Sequence, residues 1–246
     1  MHNVATSGCW PENDEGIRIP TFSENEIFWE GNPTTLYYLC SKPDRTFSVV
    51  VDCKVYLQRM CTAAYPDIQA MLHIDGIEVA AMVTDVGLDV TVLEFEGVHD
   101  GDEAIRPFRF EGLVRRLLAT FGLLLMAALQ RMDANGCMPS NSVRRSLGTI
   151  KVELRRARLV GPRATTDDVN LHRLHPGPYE ETSVKLKLAH IADLEQKQEV
   201  DADKLTWNLA LHPQDDARPF HCFLFRYNSR EVWRASGVLG RNPRKQ

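Results

Sequence analysis

The six cysteines, Cys9, Cys40, Cys53, Cys61, Cys137 and Cys222, contain no C-x-x-C pair, which speaks against a paired-thiol metal site and against a secreted disulfide scaffold. Free, mostly buried thiols are expected instead. Charge is not in excess on either side, with 29 Lys and Arg against 33 Asp and Glu, so nothing global pulls the chain toward a polyanion and nucleic acid is not an expected partner. The opening stretch to Gly16 carries Glu12, Asp14 and Glu15 and no apolar run, which predicts no signal peptide and a place in cytoplasm or nucleus. A phosphate-cradling Gly-x-x-x-x-Gly-Lys-Ser/Thr or Gly-x-Gly-x-x-Gly run is missing, so no cofactor is expected. So is a Gly-x-Ser-x-Gly elbow, the simplest sign of a serine hydrolase. The longest apolar run, Leu117 to Leu129, has 13 residues, whereas a bilayer-crossing helix needs roughly 17 to 25, so no membrane span is expected.

What is there reads as β structure. Gly16–Pro20, Thr35–Cys40 and Thr46–Val51 are short runs of β-branched and aromatic residues bounded by turn formers. Ile68–Ile74 and Ile77–Val83 flank Asp75-Gly76, a pair that favours a tight hairpin turn. Further strands are predicted at Asp89–Phe95, Pro107–Phe110, Gly148–Leu154, Val184–His190, Leu205–Leu211 and Phe220–Phe225. Short strands without intervening helices predict an antiparallel β-sandwich or jelly-roll-like domain rather than a βαβ fold. The expected organisation is a flexible N-terminus over 1–15, one β-sandwich domain over 16–239 and a basic tail over 240–246.

Two segments depart from the β pattern. A short C-terminal helix is predicted at about 228–237, capped by Asn228 or Ser229 and ended by Gly237. An apolar helix is predicted at about 113–132, with Arg115 and Arg116 almost its only polar relief. The stretch Phe220-His-Cys-Phe-Leu-Phe-Arg-Tyr-Asn-Ser-Arg-Glu-Val-Trp-Arg-Ala-Ser-Gly-Val-Leu239 resembles the ending of a fungal, mushroom-type family of unknown function, in which a strand runs into an FRYxSRE segment. Gly16–Val51, the Asp75-Gly76 hairpin, Arg106–Phe110 and Leu147–Leu154 are similar to the same family, in the same order. The resemblance implies no activity. The apolar segment departs from the family pattern, which has a polar loop there. It is read either as a genuine insertion, buried on the sandwich or in a dimer interface, or as an unremoved intron over 114–130, beginning on a Val codon and ending on a Gln codon. Transcript sequencing that retains those codons would sink the second reading.

Candidate chemistry is sparse. His172-Arg-Leu-His175, with His190, His212, His221 and Cys222 further on, is the best metal-like spacing, but no second close pair accompanies it and Pro176-Gly177-Pro178 marks a solvated loop. Cys222 follows His221 directly, and neighbours on a strand face opposite ways, so the two do not share a pocket. The paired acids Asp167-Asp168, Glu180-Glu181 and Asp215-Asp216 read as solvated loop residues rather than as facing glycosidase carboxylates. Arg144, Arg145, Lys151, Arg155, Arg156, Arg158 and Arg163 form one basic interval, read first as the solvated, charge-protected edge of a sheet and second as a phosphate-facing stripe. Tyr37, Tyr38, Phe47, Phe108, Phe110, Phe223, Phe225 and Tyr227 are expected to serve mostly as core.

No catalytic, cofactor-binding or metal-binding residues are therefore predicted. The expected function is a non-enzymatic protein-interaction or self-association module acting on a protein partner or a second copy. The rivals are a carbohydrate- or small-ligand-binding sandwich and a hydrolase whose site is assembled from distant loops.

Overall fold

The computed structural model describes residues 8–99, 104–112, 146–163, 190–194, 198–199 and 206–239. Its strands form two sheets. The first holds β1 (Cys9–Asn13), β4 (Arg45–Asp52), β7 (Val92–Phe95), β8 (Gly97–His99), β9 (Ala104–Gly112), β11 (His190–Leu194) and β12 (Gln198–Glu199). The second holds β2 (Thr21–Trp29), β3 (Asn32–Cys40), β5 (Asp67–Ile74), β6 (Ile77–Val83), β10 (Thr149–Arg163), β13 (Thr206–Leu211) and β14 (His221–Asn228). In the first sheet the order is β1-β4-β9-β11, with β7 against β4 and with β8 and β12 against β9. In the second it is β2-β3-β14-β10-β5-β6, with β13 pairing the far end of β10. Every pairing between these strands is antiparallel except β3 with β14, which is parallel. The fold is the mainly β, sandwich-like architecture that the strand spacing predicts.

Side-chain alternation puts one face of each sheet into a shared core. Phe47, Val49, Val51, Phe95, Phe108 and Phe110 come from the first sheet, and Tyr37, Leu39, Ile68, Leu72, Ile150, Val152, Leu154, Phe223 and Phe225 from the second. Tyr37 stacks on Phe225 at 5.1 Å, and Phe110 meets Tyr227 at 5.1 Å across the two layers. Each such aromatic, removed from water, contributes about 1.5–3 kcal/mol. The wedge β7–β8 sits where the paired segments of β4 and β9 diverge, and the residue at its joint must be Gly97, because a Cβ there would strike the Arg106 carbonyl.

The Asp75-Gly76 turn joins β5 to β6 with φ of 53° and 84°, the left-handed pair a tight hairpin requires. The Asp75 carboxylate turns inward. It accepts hydrogen bonds from the Tyr227 hydroxyl at 2.8 Å and from the Gly148 and Thr149 amides at 2.7 and 3.3 Å, tying the hairpin to β14 and to the start of β10.

Three helices are described. α1 (Lys54–Met60) was not predicted; it follows β4 directly and buries no residue completely. α2 (Pro213–Ala217) starts on His212, whose Nδ1 accepts from the Gln214 amide. α3 (Arg230–Ala235) is the expected C-terminal helix. Ser229 is its cap, accepting from the Val232 amide, and Gly237 follows it at φ 79°. Trp233 anchors it by donating from Nε1 to the Leu39 carbonyl at 2.7 Å.

Several expectations are corrected. Cys9–Asn13, assigned to a flexible N-terminus, forms β1 and pairs in register with Phe47–Val51, and Cys9 is buried. Gly16–Pro20 is not a strand; the strand begins at Thr21. Asp89–Phe95 begins only at Val92, because Asp85 caps a 3-10 turn over Val86–Leu88 and Asp89 takes φ 57° after it. The apolar segment 113–132, including 114–130, lies outside the described residues, as does the tail 240–246. Among the described residues no helix is long and apolar enough to cross a membrane.

Candidate functional site

The second sheet's outer face, the one turned away from the shared core, carries a grid of polar side chains whose rows follow from the strand registers. Gln69, Met71 and His73 of β5 stand opposite Arg155, Glu153 and Lys151 of β10. Glu153, Lys151 and Thr149 stand opposite Cys222, Leu224 and Arg226 of β14, and these stand beside Thr34, Leu36 and Tyr38 of β3. Asn32, two residues before Thr34, continues the same face, and its neighbour on β2 is Trp29. The tip of the β2–β3 hairpin arches over this face. Arg226 lies 5.2 Å from the Trp29 ring, and Lys151 reaches Glu30 at 3.9 Å. Leu36, Leu224, Cys222 and Thr34 are buried beneath.

Glu153 is the centre of the grid. Its side chain is 9% exposed, with Lys151 Nζ at 2.8 Å, Arg155 Nη2 at 3.0 Å and His73 Nε2 at 3.7 Å. Burial alone would raise its pKa, but contacts with His73 and Lys151 more than reverse this and hold the carboxyl well below its usual range. Glu153 is thus a fixed anion and a poor proton donor. Arg155 also donates to the Asp216 carbonyl at 3.2 Å.

Around this ion cluster lie, among the described residues, five polar atoms that are shut from water and make no hydrogen bond, Asn32 Oδ1, Gln69 Oε1, His73 Nε2, Arg155 Nε and Arg226 Nε, of which His73 Nε2 still faces the Glu153 carboxylate at 3.7 Å. All five belong to this one face. An unpaired buried polar group costs about 1–3 kcal/mol, so each such group calls for a physical reason, such as stored strain, a functional role or a bound water or ion. Their gathering across β3, β14, β10 and β5 singles this face out.

Other residues singled out by the sequence go elsewhere. His221 Nε2 sits 3.1 Å from Thr35 Oγ1, and burial lowers its pKa, so it is a neutral imidazole in an aromatic nest with Tyr56 and Phe223. Cys222 points the opposite way, as alternation requires. It fills the layer under the polar face, and burial pushes its thiol up to about 12, so it is no nucleophile. His212 is a helix cap packed edge-on against Tyr65. Asp215 and Asp216 are not a facing pair. Asp215 is buried and clamped by Arg156, with Nη2 to Oδ1 at 2.6 Å and Nε to Oδ2 at 2.8 Å, while Asp216 is exposed. Burial would raise the Asp215 pKa, and the Arg156 bonds bring it below the usual range. His190 lies on β11 opposite Gly112, while His172, His175, Asp167, Asp168, Glu180 and Glu181 fall outside the described residues. Among the described residues no group of three His, Cys, Asp or Glu side chains could hold a metal ion.

The edge reading of the basic interval is corrected for Lys151, Arg155 and Arg156, which lie where β10 has β5 on one side and β14 then β13 on the other. Arg158 and Arg163 lie on the end of β10 that pairs only with β13 among the described strands, and Arg144 and Arg145 lie outside the described residues. Lys151 and Arg155 are consumed by Glu153, and Arg156 by Asp215. Sequence reasoning missed Trp29, Asn32, Gln69, His73 and Arg226 as one site. The available signal was polar residues at alternate positions of strands bounded by apolar ones, Gln69-x-Met-x-His73 and Lys151-x-Glu-x-Arg155.

A family model described as "Domain of unknown function (DUF7918)" matches residues 22–242. No curated protein and no solved structure matches the chain.

Proposed function

From its place in the DUF7918 family, to which the chain belongs and whose function is unknown, we propose that it is a non-enzymatic binding module acting through the outer face of its second sheet. The observation that carries this reading is the gathering on that face, among the described residues, of five buried polar atoms that make no hydrogen bond. The acids there and nearby, Glu153 and Asp215, are held ionised by cations, which supports binding over acid–base catalysis. The Phe225-Arg-Tyr-Asn-Ser-Arg-Glu231 segment supports the fungal type of the family, and the free cysteines among the described residues support a place in cytoplasm or nucleus.

The test is a thermal-shift screen of the full chain against sugars, carboxylates, phosphates, amino acids and nucleosides. At a hundredfold excess over Kd, a ligand adds about 2.7 kcal/mol by mass action, a rise of roughly 5–10 °C for a chain of this size. At least one compound is expected to raise the Tm of the wild type and not that of Arg226→Ala. A screen without such a compound overturns the reading.

A second reading, self-association, has its own support. Met82, Val86, Leu88, Val90 and Val92 are exposed large apolar residues within one short stretch, and Leu88 is 72% exposed. They run along the side of the sandwich from β6, the end strand of its sheet, to β7, which pairs only with β4 among the described strands. A second copy offering the same ribbon would bury both. Sedimentation at micromolar concentration is expected to give a dimer that Leu88→Asp converts to monomer; a monomeric wild type removes this reading.

A further inference from the structure

On a surface separate from the outer face of the second sheet, we infer that the apolar ribbon from β6 to β7 is the docking site for a cationic, apolar segment of a partner protein. Met82, Val86, Leu88, Val90 and Val92 are all exposed, Leu88 most of all. Single apolar residues on a surface are ordinary, whereas a run of them gathered on one side of the molecule is a patch that calls for a partner. The backbone holds them in place. Asp85 accepts from the Leu88 amide at 3.1 Å and forms a bridge with Val90, and Asp89 closes the turn at φ 57°. The turn carrying Val86 and Leu88 is therefore fixed, with its apolar side chains left in water.

Charge selects the occupant. From Met60 to Ile105 the sequence holds ten Asp and Glu and no Lys or Arg. Of these acids, Glu78 on β6, Asp89 between Leu88 and Val90, and Glu94 and Glu96 after Val92 are exposed, and among the described residues no cation pairs with any of the four. β6 pairs only with β5 among the described strands, so its other edge offers main-chain donors and acceptors. An extended segment laid along that edge gains backbone hydrogen bonds, with the ribbon for its apolar side chains and the acids for its Lys or Arg. A second copy is the poorer occupant. A two-fold interface sets a patch against itself, which brings the same carboxylates together. Nucleic acid and anionic lipid are repelled by the same charges.

The experiment is fluorescence anisotropy of the full chain with two labelled peptides, Lys-Val-Lys-Leu-Lys-Val-Lys and its counterpart with Glu at every Lys, beside sedimentation of the wild type. The cationic peptide is expected to bind and the acidic one not, with affinity falling as salt rises above about 0.1 M, where the screening length is about 10 Å. Leu88→Asp is expected to weaken binding about tenfold or more although it adds a negative charge, because it removes apolar contact. Asp89→Asn combined with Glu94→Gln is expected to weaken it about threefold. These positions are exposed, so each variant should keep a Tm near that of the wild type. Undiminished binding by Leu88→Asp would show attraction by charge alone and overturn the docking site. Equal binding of the acidic peptide overturns the cationic assignment. If neither peptide binds and the wild type is a dimer that Leu88→Asp breaks, a second copy holds the ribbon and the inference falls while self-association stands. If neither binds and the wild type is a monomer, both fall, and the outer-face reading is untouched.

Discussion

Glu153→Ala is expected to cost about 3–5 kcal/mol of folding stability, read as a fall in the denaturation midpoint at unchanged slope. The carboxylate is buried, and it is the ion-pair partner of Lys151 at 2.8 Å and of Arg155 at 3.0 Å, with side chains 19% and 17% exposed. Removing it leaves two largely buried cations without compensation, which is far more damaging than losing a solvated pair. Glu153→Gln keeps the shape and removes the charge, so it isolates the electrostatic part. Because the folded pKa is depressed, the protonated carboxyl is disfavoured in the native state. The stabilisation is therefore fully present above the ordinary carboxylate range and is lost as pH falls through the depressed folded value. The wild type should thus lose stability on acidification below about pH 4.5 while Glu153→Gln, lacking this proton site, loses less. Denaturation series at pH 7, 4 and 3 read the gap between the two proteins directly. A gap that does not narrow with acid would show that Glu153 is not a paired anion.

The second large effect belongs to Asp75→Ala, with an expected loss of roughly 3–5 kcal/mol. Three donors converge on this carboxylate: the Tyr227 hydroxyl at 2.8 Å, the Gly148 amide at 2.7 Å and the Thr149 amide at 3.3 Å. All are buried, so each left bare loses its partner without gaining water. Alanine also tolerates φ of 53° less well than aspartate does, which adds strain at the turn. Tyr227→Phe removes only one donor and is expected to cost about 1.5–3 kcal/mol, as for a hydrogen bond to a charged group. Chemical denaturation of the three proteins gives the ranking. If Tyr227→Phe destabilises as much as Asp75→Ala, the backbone amides contribute nothing and the carboxylate is not the hub of this corner.

The FRYxSRE segment shows how one short motif divides among several physical tasks. Phe225 stacks on Tyr37 in the core, and Arg226 turns outward to the Trp29 ring. Tyr227 turns inward to Asp75, and Ser229 caps α3. Alternation within a strand made that division legible for Phe225, Arg226 and Tyr227. It did not say which residues they would meet. The interval around Lys151 shows the converse. Its alternation, with Ile150, Val152 and Leu154 inward and Lys151 and Glu153 outward, is read directly from the sequence. Edge or interior position is not, because it depends on which other strands arrive on each side.

What the sequence by itself determined is local: the period-two strands, the Asp75-Gly76 turn, the Ser229 cap with Gly237 beyond the helix, and the opposite facing of His221 and Cys222. These follow from backbone sterics and side-chain alternation over a few residues. Only the tertiary structure decided that β3 lies parallel beside β14, that β10 is interior, and that Asn32, Gln69, His73, Arg155 and Arg226 share a face. Those five residues come from four strands as far apart in the chain as β3 and β14. Their meeting depends on long-range pairing, whose register is selected by burying one face of every strand at once, and no window of local sequence contains that information.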